Sequence, residues 1–207
     1  MADWHVVVSG PVGVGKSTLT HALAVELGAR YELESDGASN PFLADYYADP
    51  SRWAFHSQAF FLAEAFSAQE QVAAMPGGVV QDRHLHEHLA MFMAPKHEAG
   101  EMTDHEYQLL ERLVHTAVAA VGAPDLLIYA HAPAEVVLKR IRGRGRGYEQ
   151  GLTIEDVRAQ LKRYERFVND WKLSEVLRVD TSQVDVHRPA DRARLAGRVR
   201  ELLSLAP

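Results

Sequence analysis

The sequence contains no cysteine. That excludes a disulfide framework, a thiolate zinc site and cysteine nucleophilic catalysis, and it fits a reducing compartment. No apolar run reaches the roughly 18 residues that a membrane-spanning helix needs, and no cationic stretch leads into an apolar one at the N-terminus. A soluble protein of the cytoplasm, without membrane partners, is therefore the expectation. Basic charge is in deficit: 22 Lys and Arg stand against 28 Asp and Glu, a net charge of −6. No overall positive field invites nucleic acid. Repeats, low-complexity tracts and convincing linkers are also absent. What remains is a chain of 207 residues, 47% apolar and 24% charged, which is ordinary for a globular protein and long enough for one α/β domain with a sizeable core. A single domain over residues 1–207 is the simplest organisation.

The pattern alternates between strand and helix. WHVVVS at 4–9 is a short apolar run rich in β-branched residues, as buried strands are. From Lys16 the spacing of Leu19, Ala22, Leu23 and Leu27 is helical, and Gly28 suits the position after the last turn. A second strand is expected near 30–34, a third at 79–82, a fourth at 125–132 and a fifth at 175–180. Residues 51–73 read as a long helix with Phe55, Ala59, Leu62 and Phe66 on one side. Thr103 and Glu106 form a capping box before a helix whose Leu109, Leu110, Leu113, Ala117 and Val121 make an apolar stripe. Thr153 starts a helix to about Trp171, and a last one covers about 189–204. Such alternation predicts an α/β fold with a parallel sheet covered on both faces.

Between the first strand and the first helix lies Gly10-Pro11-Val12-Gly13-Val14-Gly15-Lys16-Ser17-Thr18. It matches the P-loop pattern G-x-x-x-x-G-K-[ST] in its proper strand–loop–helix setting. A phosphate chain must approach the backbone closely, so side chains must be missing and N–H groups must converge. The helix N-terminus adds partial positive charge. Lys16 can reach the β- and γ-phosphates, and the Ser17 hydroxyl can ligate Mg²⁺. The stretch therefore predicts nucleoside triphosphate, with ATP the first choice, and says nothing of the acceptor.

The loop, together with NPFLADYYADPSRWAFHSQ (40–58), VVQDR (79–83), PDLLIY (124–129) and RIRGRGRGYEQG (140–151), resembles the deoxynucleoside kinase family. These stretches span nearly the whole chain in the family's order. The resemblance implies a P-loop three-layer sandwich with a five-stranded parallel sheet, an Arg-rich lid at about 140–151, and ATP-dependent 5′-phosphorylation of a deoxynucleoside in nucleotide salvage. Deoxyadenosine or deoxyguanosine is the leading substrate, and homodimers or heterodimers with a related subunit are implied.

By the same resemblance, Glu34 after the second strand is the general base for the 5′-hydroxyl. One extra residue before Asn40 leaves Asp36 and Glu32 in reserve, and a solvated acidic turn is the plain alternative. Asp82 lies near Mg²⁺, and Arg83 bridges the acceptor and the transferring phosphoryl, unless the two are only a structural pair. Tyr47 and Glu149 match residues that bind the sugar 3′-hydroxyl. Gln58, on the apolar face of the long helix, matches one that hydrogen-bonds the base; a Gln satisfied by nearby backbone is the alternative. Arg140, Arg144 and Arg146 match the lid arginines of the donor site, against a basic solvated turn or, remotely, an RNA-binding patch. Ala65 and His88 stand where many relatives carry an Arg–Asp pair. Thymidine-accepting relatives also lack it, so the preferred base stays open.

Three rivals accompany this reading: a thymidine or broad-specificity kinase, a nucleoside monophosphate kinase, and a non-catalytic nucleotide-binding regulatory subunit. The second needs a cation for the acceptor phosphate, and Arg52 is the sole arginine in 40–73. The alternation of His84, His86 and His88 raises zinc binding on one strand face, weakened because a helix is expected to begin there.

Overall fold

A computed structural model of the chain describes residues 3–34, 37, 39–146 and 151–205. In order, the elements are β1 (Trp4–Ser9), α1 (Lys16–Leu27), β2 (Arg30–Glu32), α2 (Leu43–Ala48), α3 (Pro50–Ala74), β3 (Gly78–Asp82), a π-helical turn (Leu89–Met93), α4 (Ala94–Glu98), α5 (Asp104–Val121), β4 (Leu126–His131), α6 (Ala134–Arg144), α7 (Ile154–Asp170), β5 (Glu175–Asp180) and α8 (Pro189–Leu202). They fall into two compact units. One comprises Met1–Leu33, Met75–Arg83 and Pro124–Pro207, the other Glu34–Ala74 and His84–Ala123.

The first unit holds all five strands, parallel and in the order β2-β3-β1-β4-β5. Val6, Val7 and Val8 of β1 and Leu126, Leu127 and Ile128 of β4 are fully buried. Consecutive residues of a strand point to opposite faces, so both faces of these central strands are covered, which explains their unbroken apolar runs. Around them Leu19, Leu23, Val137, Ile141, Val157 and Leu195 build one core from α1, α6, α7 and α8. Val8 lies opposite Asp82 on one side and Ile128 on the other. The loops after β1 and β3 therefore leave the sheet at the same edge, the carboxyl edge at which α/β sheets bind ligands.

The helix boundaries have local causes. α1 ends at Gly28 in the left-handed conformation (φ 65°). α7 starts at Thr153, whose Oγ1 accepts the Asp156 N–H at 3.2 Å while the Asp156 carboxylate accepts the Thr153 N–H at 2.9 Å. The expected strand at 125–132 is two residues shorter, and RIRGRGRGYEQG is not wholly loop: residues 140–144 complete α6. The reason is Ile141, buried in the core, which continues the apolar face of Val137 and Leu138.

The second unit is helical. Asp49 caps α3 by accepting the Arg52 N–H at 3.3 Å, and Pro50 fills the first helical position. Its core joins Ala54, Leu62, Leu85, Met93, Met102, Leu110 and Val114. The capping box of Thr103 and Glu106 opens α5 as expected. Its stripe, however, is turned: Leu110 and Val114 are buried, whereas Leu109 and Leu113 are about half exposed, at 48% and 46%. Leu110 and Val114 are one turn apart, and that column takes the core side.

Candidate active site

The first unit carries the donor side. Gly10 (φ 150°), Gly13 (φ 79°) and Gly15 (φ 99°) all lie where L side chains are strained. At Gly10 a Cβ would lie 2.3 Å from the carbonyl oxygen of Ala130, so β4 itself forbids a side chain there. At Gly13 it would lie 2.4 Å from Cγ1 of Ile141. Gly15 is the N-cap of α1, and no described side chain caps that helix or places an acid in its first turn. Its leading N–H groups therefore point into a cradle shaped for an anion. Lys16 is buried at the helix start, its ammonium donating to the Pro11 carbonyl at 3.4 Å, folded back over the loop it serves.

Ser17 Oγ donates to Asp82 Oδ2 at 2.5 Å. The other carboxylate oxygen, Oδ1, is buried without a hydrogen-bond partner among the described residues. A buried carboxylate oxygen beside a hydroxyl is a hard-donor set that fits Mg²⁺. Arg83 follows with φ 71°, a left-handed conformation unusual for a long side chain. Its N–H donates to the Val8 carbonyl at 3.0 Å, and its buried guanidinium donates through Nη1 to the Tyr164 phenol at 2.6 Å.

The three lid arginines are not alike. Arg140 Nη1 donates to the Val14 carbonyl at 3.0 Å and to Thr181 Oγ1 at 2.9 Å, and Nη2 donates to the Thr181 carbonyl at 2.7 Å. Thr181 Oγ1 itself donates to Val14 O at 2.8 Å. Arg140 thus braces the phosphate loop through its backbone. Arg144 closes α6 and Arg146 follows it. Glu149 lies outside the described residues, as does Asp36.

The acceptor-side residues belong to the second unit. Asn40 donates from Nδ2 to Ser57 Oγ at 3.1 Å and accepts the Phe42 N–H at 3.0 Å, tying the NPF turn to α3. The next residue, Gln58, is buried, and its Oε1 has no partner among the described residues. Ala65 is half-buried and His88 buried. Tyr47 is exposed, its ring 5.2 Å from that of Tyr46. Glu34 is exposed beyond β2, whereas in the first unit burial raises the pKa of Glu32, the last residue of β2. Arg52 is exposed, its guanidinium 5.2 Å from the centre of the Trp53 ring.

Among the described residues no group of three or more His, Cys, Asp or Glu side chains is placed to hold a metal ion. The rings of His84 and His86 stack instead, with their Nδ1 atoms 2.6 Å apart. Burial lowers the pKa of His86 from 6.5 to about 4. In the unfolded chain the imidazole keeps its ordinary pKa, so between pH 6.5 and 4 the unfolded state binds the extra proton. Stability from this group is whole above pH 6.5 and is lost as the pH falls to about 4. A urea midpoint that drops between pH 7 and pH 5 in the parent, and drops less in His86→Gln, is the expected result. Equal drops would remove His86 from the account.

Tyr164, Thr181 and the bracing role of Arg140 carry no sequence signal. Tyr164 in particular reads as one more apolar residue of an amphipathic helix.

A parallel sheet of order 2-3-1-4-5, with a glycine loop between its central strand and α1 and Lys16 opening that helix, defines a nucleotide-binding protein of the P-loop class. The family model for deoxynucleoside kinase matches residues 6–204, and the chain belongs to that family. It is 36% identical over 183 residues to a deoxyadenosine/deoxycytidine kinase of Bacillus subtilis, covering 87% of this chain and 84% of the relative. It is 35% identical over 169 residues to a deoxyguanosine kinase of Lactobacillus acidophilus, covering 77% and 72% respectively. A solved deoxyadenosine kinase from M. mycoides, with dCMP and dCDP bound, shares the fold at a TM-score of 0.78 and 23% identity, over 95% of this chain and 99% of that one. The protein is thus a kinase that uses a nucleotide donor and a deoxynucleoside acceptor. Among the described residues no helix is long and apolar enough to cross a membrane.

Proposed function

We propose that this kinase transfers the γ-phosphoryl of ATP to the 5′-hydroxyl of a purine deoxynucleoside, deoxyadenosine or deoxyguanosine. The observation that carries the acceptor reading is Gln58, buried on α3 with its amide oxygen unpartnered among the described residues. Leaving such an oxygen unsatisfied costs about 1–3 kcal/mol, and an exocyclic amine of a base would supply the missing donor. A carboxamide can pair both with that amine and with a neighbouring ring nitrogen, as glutamine does with adenine. The names of both curated relatives include a purine deoxynucleoside, that of the Bacillus subtilis kinase together with deoxycytidine, which supports this reading.

In this reading Glu34 takes the 5′-hydroxyl proton, and Tyr47 and Glu149 hold the sugar 3′-hydroxyl. Lys16, Arg83, Arg144 and Arg146 balance charge on the phosphoryl oxygens, while Arg140 keeps the loop in shape. Ser17 and Asp82 would hold Mg²⁺, which when bound neutralises charge shared between the β- and γ-phosphates. A homodimer, or a heterodimer with a related subunit, is supported by the exposed Leu109 and Leu113 of α5.

Measuring kcat/KM for ATP with deoxyadenosine, deoxyguanosine, deoxycytidine and thymidine tests the proposal. Purines should lead. A higher value for thymidine would assign Ala65 and His88 to a thymidine-type pocket, and no transfer to any of the four would favour the regulatory-subunit reading.

A further inference from the structure

Arg83 occupies a backbone conformation that a long side chain avoids, and conformations of this kind persist only where the surroundings over-determine them. Two contacts do so here. The Arg83 N–H extends the β1–β3 ladder by donating to Val8 O at 3.0 Å, and its guanidinium donates to the phenolic oxygen of Tyr164 at 2.6 Å. Both side chains are almost wholly buried, at 4% and 3% exposure. Tyr164 is itself fixed: its ring stacks on that of Tyr129, 14° from parallel with centroids 6.3 Å apart, and Tyr129 is fully buried on β4.

We propose that Tyr164 is a positioning residue for the reaction, holding the Arg83 guanidinium in the orientation that meets the transferring phosphoryl. The proposal rests on the reading of Arg83 as a phosphoryl-contacting group. A guanidinium is planar and rigid, so one directed hydrogen bond at Nη1 sets the plane in which its other N–H groups lie. The phenol is an oxygen acceptor at the end of a ring that packing immobilises. It therefore orients the cation without neutralising it, as an Asp in its place would. Charge aimed in advance at the place where charge develops is what lowers a phosphoryl-transfer barrier. α7, which contributes the phenol, thus reaches chemistry through Arg83 and touches no substrate itself.

Three enzymes test this: Arg83→Lys, Tyr164→Phe and the double variant, each assayed for kcat, both KM values and thermal midpoint. Tyr164→Phe keeps the ring and removes the acceptor. Its kcat should fall about ten- to a hundredfold, with both KM values within about twofold of the parent, because the lost bond is charge-assisted and matters most in the transition state. On the Arg83→Lys background the same change should cost little further, since the group it orients is gone. An unchanged kcat in Tyr164→Phe, with Arg83→Lys crippled, overturns the proposal and leaves the reading of Arg83 intact. Equal losses on both backgrounds overturn it too, placing the effect elsewhere. Full activity in Arg83→Lys sinks the reading of Arg83 and the proposal with it. Should Tyr164→Phe not fold, 4-aminophenylalanine at 164 keeps the shape while replacing the acceptor with a poor one. The same fall in kcat is expected there, and parental kcat would overturn the proposal.

Discussion

Replacing Lys16 with methionine is expected to lower kcat about a thousandfold or more, the scale of loss when a cation on a transferring phosphoryl is removed. The parent side chain is buried at the start of α1, with its ammonium donating to the Pro11 carbonyl at a long 3.4 Å. Methionine keeps nearly the same length and removes a charge that is costly to bury, so folding should survive. A coupled assay of ATP consumption and a urea midpoint separate the two effects. Turnover within about tenfold of the parent, in a variant with the parental midpoint, would sink the assignment of Lys16 to the β- and γ-phosphates.

Glu34→Gln is expected to reduce kcat about a hundredfold or more, with a smaller effect on the deoxynucleoside Kd, because a general base accepts its proton only as the reaction proceeds. Glu34 is exposed beyond β2. The matched variants Asp36→Asn and Glu32→Gln decide the register of this turn. Should either be crippled while Glu34→Gln is not, the inferred placement of one extra residue between the base and Asn40 is wrong. Glu32 enters that comparison with its pKa raised by burial, so its loss would also move the acid limb of the pH–rate profile.

The donor side was legible because its chemistry is local. Nine consecutive residues, Gly10 to Thr18, carry the glycines, the lysine and the hydroxyls, and their neighbours fix the strand and the helix around them. The capping box at Thr103 and the helix start at Thr153 were legible for the same reason, since each rests on neighbours within four residues. The turn of α5 was not: two apolar columns share that helix, and tertiary packing on Leu85, Met93 and Met102 chose Leu110 and Val114 over Leu109 and Leu113. Nor was α2 foreseen, because a six-residue helix with no buried residue leaves no apolar period. The partners of Arg83 and Arg140 were beyond reach in principle. Tyr164 and Thr181 lie 81 and 41 residues away from them, and only the tertiary fold supplies the contact.

Gly13 and Ile141 occupy one another's space: the isoleucine Cγ1 stands where a side chain at 13 would begin. The two positions are therefore bound in the order in which they can drift. Any lineage that places alanine at 13 must first have trimmed 141, and must still accept a strained φ of 79° in the phosphate loop. Valine at 141 would not be enough, because it keeps Cγ1; clearing the space takes alanine there, which opens a gap beneath the loop at a cost of about 2–5 kcal/mol. The accessible path crosses a less stable ancestor before it reaches anything else, so the pair should behave as a single inherited character, with glycine at 13 persisting even while 141 exchanges isoleucine for valine.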